Sequence, residues 1–329
     1  MTIGLPSPQI TTRLPARAAE TTFSIGGIVR VLLATMLWSS SALLVDRLST
    51  IYRLTPVQIS TWRVLMVLPT VALFIAIYRP SAFQFQLRDL RYYIVAGLVG
   101  ITGSNLSWAA SVQINKPAVA AALAFSAPAF VAVGDRLIFG TRLGILQVGA
   151  ILVNLLGCGL VAGVHTPAQL AHSRAGLMVA LANALAFSVY TLFGRAVARD
   201  GQRDPLTYLL ALFAVGAVGL LTWGLLAEGF RLFALHLDGT GWVLLGSLAA
   251  GPTLGAYALY NSSLRDLPAT LASLITTLEP PMVAIFASVL LSRYIKGVQW
   301  LGIGLIVSGV LAIQLGMRTR YRGRKTSRE

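Results

Sequence analysis

The sequence predicts an all-α polytopic membrane protein with ten transmembrane helices, arranged as two inverted five-helix repeats. Three observations predict this class. The 329 residues are 56% hydrophobic with a mean hydropathy of +0.75, only 11% are charged, and the apolar residues fall into separate long segments. Soluble domains contain about 25% charged residues, so this chain has too few for a hydrated surface of ordinary size. The composition therefore argues against a soluble enzyme or a disordered protein.

Each apolar segment is long enough for a tilted membrane helix, because a bilayer requires about 20 apolar residues. A membrane β-strand would alternate with period two, and residues 148–153 show no such alternation. Helix is therefore the structure that satisfies the backbone hydrogen bonds in lipid. The predicted spans are 28–47, 57–78, 92–113, 117–134, 143–164, 175–195, 205–227, 241–263, 267–291 and 297–317.

The basic residues are unevenly distributed between the two sides of the predicted bundle. With a cytoplasmic N-terminus, most of the 26 Lys and Arg residues fall in cytoplasmic loops or in the basic cytoplasmic tail 318–329. This bias predicts a multi-pass protein of the plasma (inner) membrane with both termini in the cytoplasm, residues 1–27 being a disordered tail. The basic tail is explained as an anchor near anionic lipid headgroups. It lacks an aromatic pattern for reading bases, and we expect no nucleic-acid partner.

The two halves of the sequence, 28–165 and 174–317, match at a constant offset of 152 residues. Trp108 and Pro128 recur as Tyr260 and Pro280 with the same interval between them. Other matches at this offset are Ser111 with Ser263, Gln147 with Gln299 and Gly157 with Gly309. Because each half has five spans, an odd number, the halves enter the bilayer in opposite directions. Inverted repeats are a common transporter design, and they predict transport by alternating access.

Several segments also carry a family pattern: Leu37-Trp38-Ser39, Arg63 after Thr55-Pro56, residues 122–128, residues 274–280 ending in Glu279-Pro280, and residues 299–302. With them, residues 28–317 resemble the EamA-type members of the drug/metabolite transporter superfamily. The resemblance implies a five-plus-five helix fold and transport of small molecules. The family's two Gly-Glu-Arg sequences are replaced here by Gly140-Thr141-Arg142 and Ser292-Arg293-Tyr294, which leaves open any role of those glutamates.

Glu279 and Arg63 are the charged residues that lie well inside the predicted spans. An ionised acid at the bilayer centre costs about 2.5–3.5 kcal/mol, so Glu279 must face protein or water, be paired, or be protonated. It is a candidate for proton coupling, for contact with a cationic substrate group, or for a structural role at a helix break. Arg63 either extends toward the membrane surface, or faces a cavity where it binds a carboxylate or pairs with Glu279.

Other polar and aromatic residues are candidates for lining a central cavity. The predicted substrate-binding set is Trp38, Ser39, Arg63, Asn105, Trp108, Tyr190, Tyr257, Tyr260 and Asn261. Trp108 and Tyr260 could equally lie at the membrane interface, and Ser39 could serve helix packing. Pro128 and Pro280 remove backbone donors at matching places in the two halves, so we predict hinges there.

The function that these features favour is secondary transport, with export of an amino acid, an amine or a drug-like compound. Proton exchange and uncoupled facilitated diffusion both remain open, as do monomer and homodimer. A lipid-modifying enzyme would need converging ionisable groups beyond Glu279 and Arg63, and a scaffold would need an added domain or long loops. We therefore predict a protein that is not an enzyme and has no cofactor or metal. Its expected partners are a small-molecule substrate and membrane lipid.

Overall fold

The computed structural model describes residues 24–78, 90–115, 117–141, 144–162, 174–200, 205–291 and 297–326. Within these ranges the backbone forms helices and turns, with no strand. The predicted N-terminal tail lies outside the described residues except for its last four positions. Arg142 and residues 292–294, where the family pattern is lost, also lie outside them.

Ten helices follow one another along the described chain, and each predicted span overlaps one of them, which confirms the predicted fold class. Two of the helices, α4 and α9, are interrupted. The helices are α1 (Ile25–Ile51), α2 (Pro56–Tyr78), α3 (Leu90–Asn115), α4 (Pro117–Ala124 and Ala127–Phe139), α5 (Ile145–Ala162), α6 (Arg174–Asp200), α7 (Pro205–Glu228), α8 (Gly239–Ser263), α9 (Ala269–Thr276 and Glu279–Leu291) and α10 (Gly297–Thr326). A short 3-10 helix, Gly229–Phe233, follows α7.

The outer surface of the bundle is suited to lipid. Seven described helices are long and apolar enough to cross a membrane, and α5 and α10 contain shorter apolar stretches, Ile145–Leu160 and Gly297–Gly309. Large apolar side chains such as Ile145, Leu226 and Val289 point outward and are more than 70% exposed. Exposure of such a surface to water would be unfavourable, whereas in a bilayer it contacts the apolar lipid chains. The chain is a multi-pass membrane protein.

The two halves repeat the same backbone irregularities. Helices α3 and α8 each contain a π-helical segment, at Ala96–Gly103 in α3 and at Ala249–Gly255 in α8. The breaks in α4 and α9 fall at residues 125–126 and 277–278, which are separated by the offset of 152 found in the sequence. The first two helices of each half instead match at an offset of 149, since α1 begins at Ile25 and α6 at Arg174. The repeat is therefore structural as well as sequential.

The helices of the two repeats pack across each other. Helix α1 packs against α8 and α9 of the second repeat, and α6 packs in the equivalent way against α3 and α4 of the first. Helix α2 pairs with α7, and α5 pairs with α10. At the last crossing a Cβ on Gly157 would lie only 2.8 Å from the Gly302 carbonyl oxygen, so this close approach requires a glycine. Because the first helix of each repeat packs against the third and fourth helices of the other, the broken helices α4 and α9 lie at the centre of the bundle.

Both breaks precede a proline near the start of the following segment. Pro128 and Pro280 each occupy the second position of that segment, where a helix needs no backbone donor. For the same reason they cannot donate to the carbonyls of Ala124 and Thr276, and the helix is interrupted before them. The chain thus turns at two symmetry-related points deep in the bundle.

Candidate functional site

A central cavity lies where the interrupted helices meet α1, α2, α3, α6 and α8. The empty space here, counted together with the open space at its mouth, is about 620 Å³. The residues that line it are Trp38, Ser41, Arg63, Ser104, Asn105, Trp108, Ala124, Phe125, Ala127, Asn183, Phe187, Tyr257, Thr276 and Glu279. These residues come from both repeats.

The lining follows the internal symmetry of the protein. Trp38 corresponds to Phe187, and Asn105 to Tyr257, at the offsets of 149 and 152 that the helices define. Around the breaks, Ala124 corresponds to Thr276 and Ala127 to Glu279. Because equivalent residues from both repeats face one space, the cavity lies on the pseudo-two-fold axis. Its chemistry is nevertheless asymmetric, since the second repeat supplies the acid.

Arg63 is buried inside the bundle at the wall of the cavity. Only 3% of its surface is exposed, and its Nε donates to Thr253 Oγ1 at 2.9 Å. Its Nη1 is buried and has no hydrogen-bond partner among the residues that the structure describes. Of the two orientations predicted for Arg63, the structure shows the one that faces the cavity.

Glu279 is the first residue of the second segment of α9 and is 8% exposed. The next two residues are prolines, which have no N–H, and the Met282 N–H donates to the Leu278 carbonyl at 3.1 Å, so these positions offer the carboxylate no free backbone donor. Although Arg63 lines the same cavity, no salt bridge joins the two side chains, both of which are described. Tyr257 lines the cavity together with both of them.

Polar groups of α3 hold the wall of the cavity near Tyr257. Ser104 and Asn105 line the cavity together with Tyr257. The Ser104 carbonyl accepts from Asn183 Nδ2 at 2.9 Å, and the Asn105 carbonyl accepts from Ser60 Oγ at 2.9 Å. These bonds tie α3 to α6 and to α2, so the polar wall is fixed in position.

An aromatic layer closes one side of the cavity. The ring of Trp38 lies 5.5 Å from Phe187, 5.5 Å from Tyr257 and 5.1 Å from Tyr260, measured between centroids. Tyr190 packs against Phe187, Tyr257 and Tyr260 and is fully buried. We call Trp38, Phe187, Tyr190, Tyr257 and Tyr260 the aromatic layer.

Four of the predicted substrate-binding residues do not reach the cavity. Tyr190 and Tyr260 lie behind its lining, and the Tyr260 hydroxyl is 3.1 Å from Thr191 Oγ1. Ser39 is buried and donates to the Thr35 carbonyl at 2.7 Å, a bond within its own helix. Asn261 is buried beside Gly194 on α6. The structure does bring together Trp38, Arg63, Asn105, Trp108, Tyr257 and Glu279.

Beyond the aromatic layer, polar contacts join the two repeats at the end of the bundle where α1 begins. Arg30 forms an ion pair with Asp266 and donates to the Ser262 carbonyl at 3.2 Å. Thr270 donates to the buried Asp135 at 2.9 Å. We call Arg30, Asp135, Asp266 and Thr270 the inter-repeat polar cluster. It joins the two repeats at this end of the bundle.

The opposite end is joined by the α1–α2 turn and the connection between α7 and α8. Tyr52 donates to Asp238 at 2.6 Å, and this bond lowers the pKa of that exposed carboxyl. Trp62 donates to the Leu232 carbonyl at 3.0 Å, and Thr55 donates to Glu228 at 2.6 Å.

The described side chains include no group of three metal-ligating residues. His236 lies in the connection before α8, exposed, and His165 and His172 lie outside the described residues. The chemistry that the cavity offers therefore comes from one cation, one acid, amides, hydroxyls and aromatic rings.

Sequence analysis missed several lining residues, among them Ser104, Phe125, Phe187 and Thr276. Phe187 could have been found, because it is the repeat equivalent of Trp38 at the offset of 149 that applies to the first helices. The single offset of 152 does not align these two positions. For the others, a small polar or apolar residue in an apolar span gives no signal of which way it faces.

Two inverted five-helix repeats around one central cavity define the class of helical membrane transporter folds. The chain belongs to the EamA-like transporter family, whose model matches residues 25–163 and 174–315. It is 25% identical over 307 residues to the uncharacterized inner membrane transporter YicL of Salmonella typhimurium, covering 90% of this chain and 97% of that one. It is also 26% identical over 246 residues to the uncharacterized transporter YyaM of Bacillus subtilis, covering 73% and 79%.

A solved crystal structure has the same fold, with a TM-score of 0.72 and 18% identity. The superposition covers 89% of this chain and 98% of that one. The fold and the family together place this chain among membrane transporters.

Proposed function

We propose that the protein is a secondary transporter that exports a small metabolite, an amino acid, an amine or a drug-like compound, by alternating access. The observation that carries the proposal is the cavity on the pseudo-two-fold axis, lined by equivalent residues of both repeats. A site on that axis keeps the same neighbours when the repeats exchange their conformations. It can therefore open to either side in turn.

The broken helices supply the moving parts. Residues 125–126 and 277–278 interrupt α4 and α9 beside the cavity, and Pro128 and Pro280 keep the helices from closing the gaps. The inter-repeat polar cluster closes one end of the pathway in the present conformation. With the N-terminus in the cytoplasm, the closed end faces the cytoplasm and the substrate leaves by the opposite end.

Glu279 is the coupling group in this proposal. Burial disfavours its ionised form, and no Arg or Lys side chain pairs with it among the described residues. A proton taken up at the cavity from one side and released on the other would exchange for substrate. The inner-membrane location that we propose is supported by the similarity to the inner membrane transporter YicL of Salmonella typhimurium.

The proposal is tested with purified full-length protein in proteoliposomes. A panel of radiolabelled amino acids, amines and planar cations is offered under counterflow, with and without a pH gradient. We expect at least one of them to accumulate against empty-liposome controls. Accumulation that a pH gradient does not change would contradict coupling but retain transport, and no movement of any compound would contradict the proposed function.

A further inference from the structure

Arg63 carries its charge in the middle of the bundle with no acidic partner among the described residues. Its Nε is bound by Thr253, and its Nη1 is buried without a hydrogen-bond partner. Buried guanidinium groups are normally paired, because the loss of water is costly unless other groups replace it. We infer that Arg63, held in place by Thr253, forms an anion subsite that binds a carboxylate group of the substrate. The inference rests on the proposed transport function and names the class of substrate.

The position of Arg63 follows from an irregularity in α8. Pro252 has no backbone N–H, so it leaves the Leu248 carbonyl without its usual helical donor. The Thr253 hydroxyl donates to that carbonyl at 2.7 Å. Since its one proton is committed there, the hydroxyl can only accept from Arg63, which it does at 2.9 Å. Thr253 is thus a positioning residue that leaves the Nη atoms of the guanidinium for a ligand.

The subsite exists on one side of the pseudo-two-fold axis. At the equivalent positions of the other half, Leu212 stands for Arg63 and Ile101 for Thr253, and both are fully buried in the apolar core. The polar pair is therefore not a packing feature that the fold requires in each repeat. It places a positive charge on one side of the cavity, and that charge orients a ligand.

The charges around the cavity favour a carboxylate over a phosphate. Among the described residues that line it, Arg63 is the one Lys or Arg, whereas phosphate sites commonly combine several donors. Glu279 lies in the same cavity and opposes a second negative charge. A monoanion that can accept two parallel N–H bonds from one guanidinium fits these groups best.

Binding to full-length protein in detergent tests the inference with acids and their matched carboxamides. The probes are leucine with leucinamide and 4-methylpentanoate with 4-methylpentanamide, each followed by ligand-induced thermal stabilisation. We expect the acids to bind at least about tenfold more tightly than the amides, as expected for a charge-assisted bond. Thr253→Val should weaken the acids about tenfold and leave the amides unchanged, and Thr253→Ser should restore acid binding.

Ile101→Val, at the equivalent position of the first repeat, is the matched control and should leave acid binding at its original value. If Thr253→Val does not fold, as judged by size-exclusion chromatography, Arg63→Lys serves instead, since it keeps the charge but loses the planar fork. Equal binding of acids and amides, equal weakening of both by Thr253→Val, or no binding of any acid would overturn the inference. Counterflow of amines alone would overturn it while leaving the proposed transport function intact.

Discussion

Trp38 and Phe187 are equivalent residues of the two repeats, and their rings meet edge to face at the cavity, 5.5 Å apart with an interplanar angle of 85°. Helices α1 and α6 thus place the same position of each repeat on the symmetry axis. A contact on the axis is kept when the repeats exchange conformations, so this pair can act as a pivot about which the rest of the lining moves.

Trp38→Ala should therefore damage both stability and substrate binding. The indole contacts three rings of the aromatic layer, and truncation of a buried aromatic side chain costs about 3–5 kcal/mol. We expect a lower melting temperature in detergent and loss of counterflow. Trp223→Ala is the control, because Trp223 is 55% exposed on the outer surface and should have little effect. A Trp38→Ala protein with normal stability and transport would rule out the pivot.

The inter-repeat polar cluster predicts a charge-swap result. Arg30 and Asp266 are each about one-third exposed, and such pairs contribute about 0.2–1 kcal/mol, so Arg30→Glu should shift the equilibrium toward opening by a few-fold only. The double variant Arg30→Glu with Asp266→Arg should restore the original balance. The measurement is the labelling rate of the thiol in Ala34→Cys, made in a background with Cys158→Ala. Ala34 is fully buried, one helical turn from Arg30 and one from Trp38.

Arg47→Glu, near the opposite end of α1, changes the same charge without touching the cluster and should leave the labelling rate unaltered. If Arg30→Glu labels no faster than the parent protein, or if the double variant labels as fast as the single one, the ion pair does not hold this end closed.

The sequence predicts the ten helices and their repeat because lipid allows few structures and because hydropathy, charge and proline positions are read directly from it. It also identifies Arg63 and Glu279, because a charged residue in an apolar span is energetically costly and is therefore expected to have a structural or functional role. The sequence does not show which way each side chain faces. Ser39 and Ser41 lie on the same helix, but of these two only Ser41 lines the cavity, and Ser39 donates to the Thr35 carbonyl. Which of two neighbouring hydroxyls faces a cavity depends on how α1 is rotated against α8 and α9, and that rotation is set by tertiary packing.

Glu279→Gln is expected to separate coupling from binding. The amide keeps the size of the side chain and its place at the start of the α9 segment but cannot exchange a proton at neutral pH. We expect counterflow to continue while accumulation driven by a pH gradient is lost, measured in the same proteoliposomes.

Val289→Gln, on the lipid-facing side of the same segment and 74% exposed, is a control for a new amide in α9 and should retain the pH response if the variant inserts. Accumulation by Glu279→Gln that still follows the pH gradient would remove Glu279 from the coupling step.

Restoring the missing backbone donor at the break should slow transport without preventing binding. Because Pro281 follows Pro280, both prolines must be replaced: in the double variant Pro280→Ala with Pro281→Ala the new N–H groups can approach the carbonyls of Thr276 and Thr277, which favours a continuous α9 across residues 277–278. Since alternating access requires these segments to move, we expect a several-fold lower counterflow rate, an unchanged affinity for substrate and a higher melting temperature.

Pro69→Ala is the matched control, because Pro69 lies inside α2 and is exposed on the outer surface, away from the cavity. Its replacement should also stabilise its helix but leave the rate as it was. Equal slowing by the double variant and by Pro69→Ala would indicate that general rigidity, and not the break beside Glu279, limits the transport cycle.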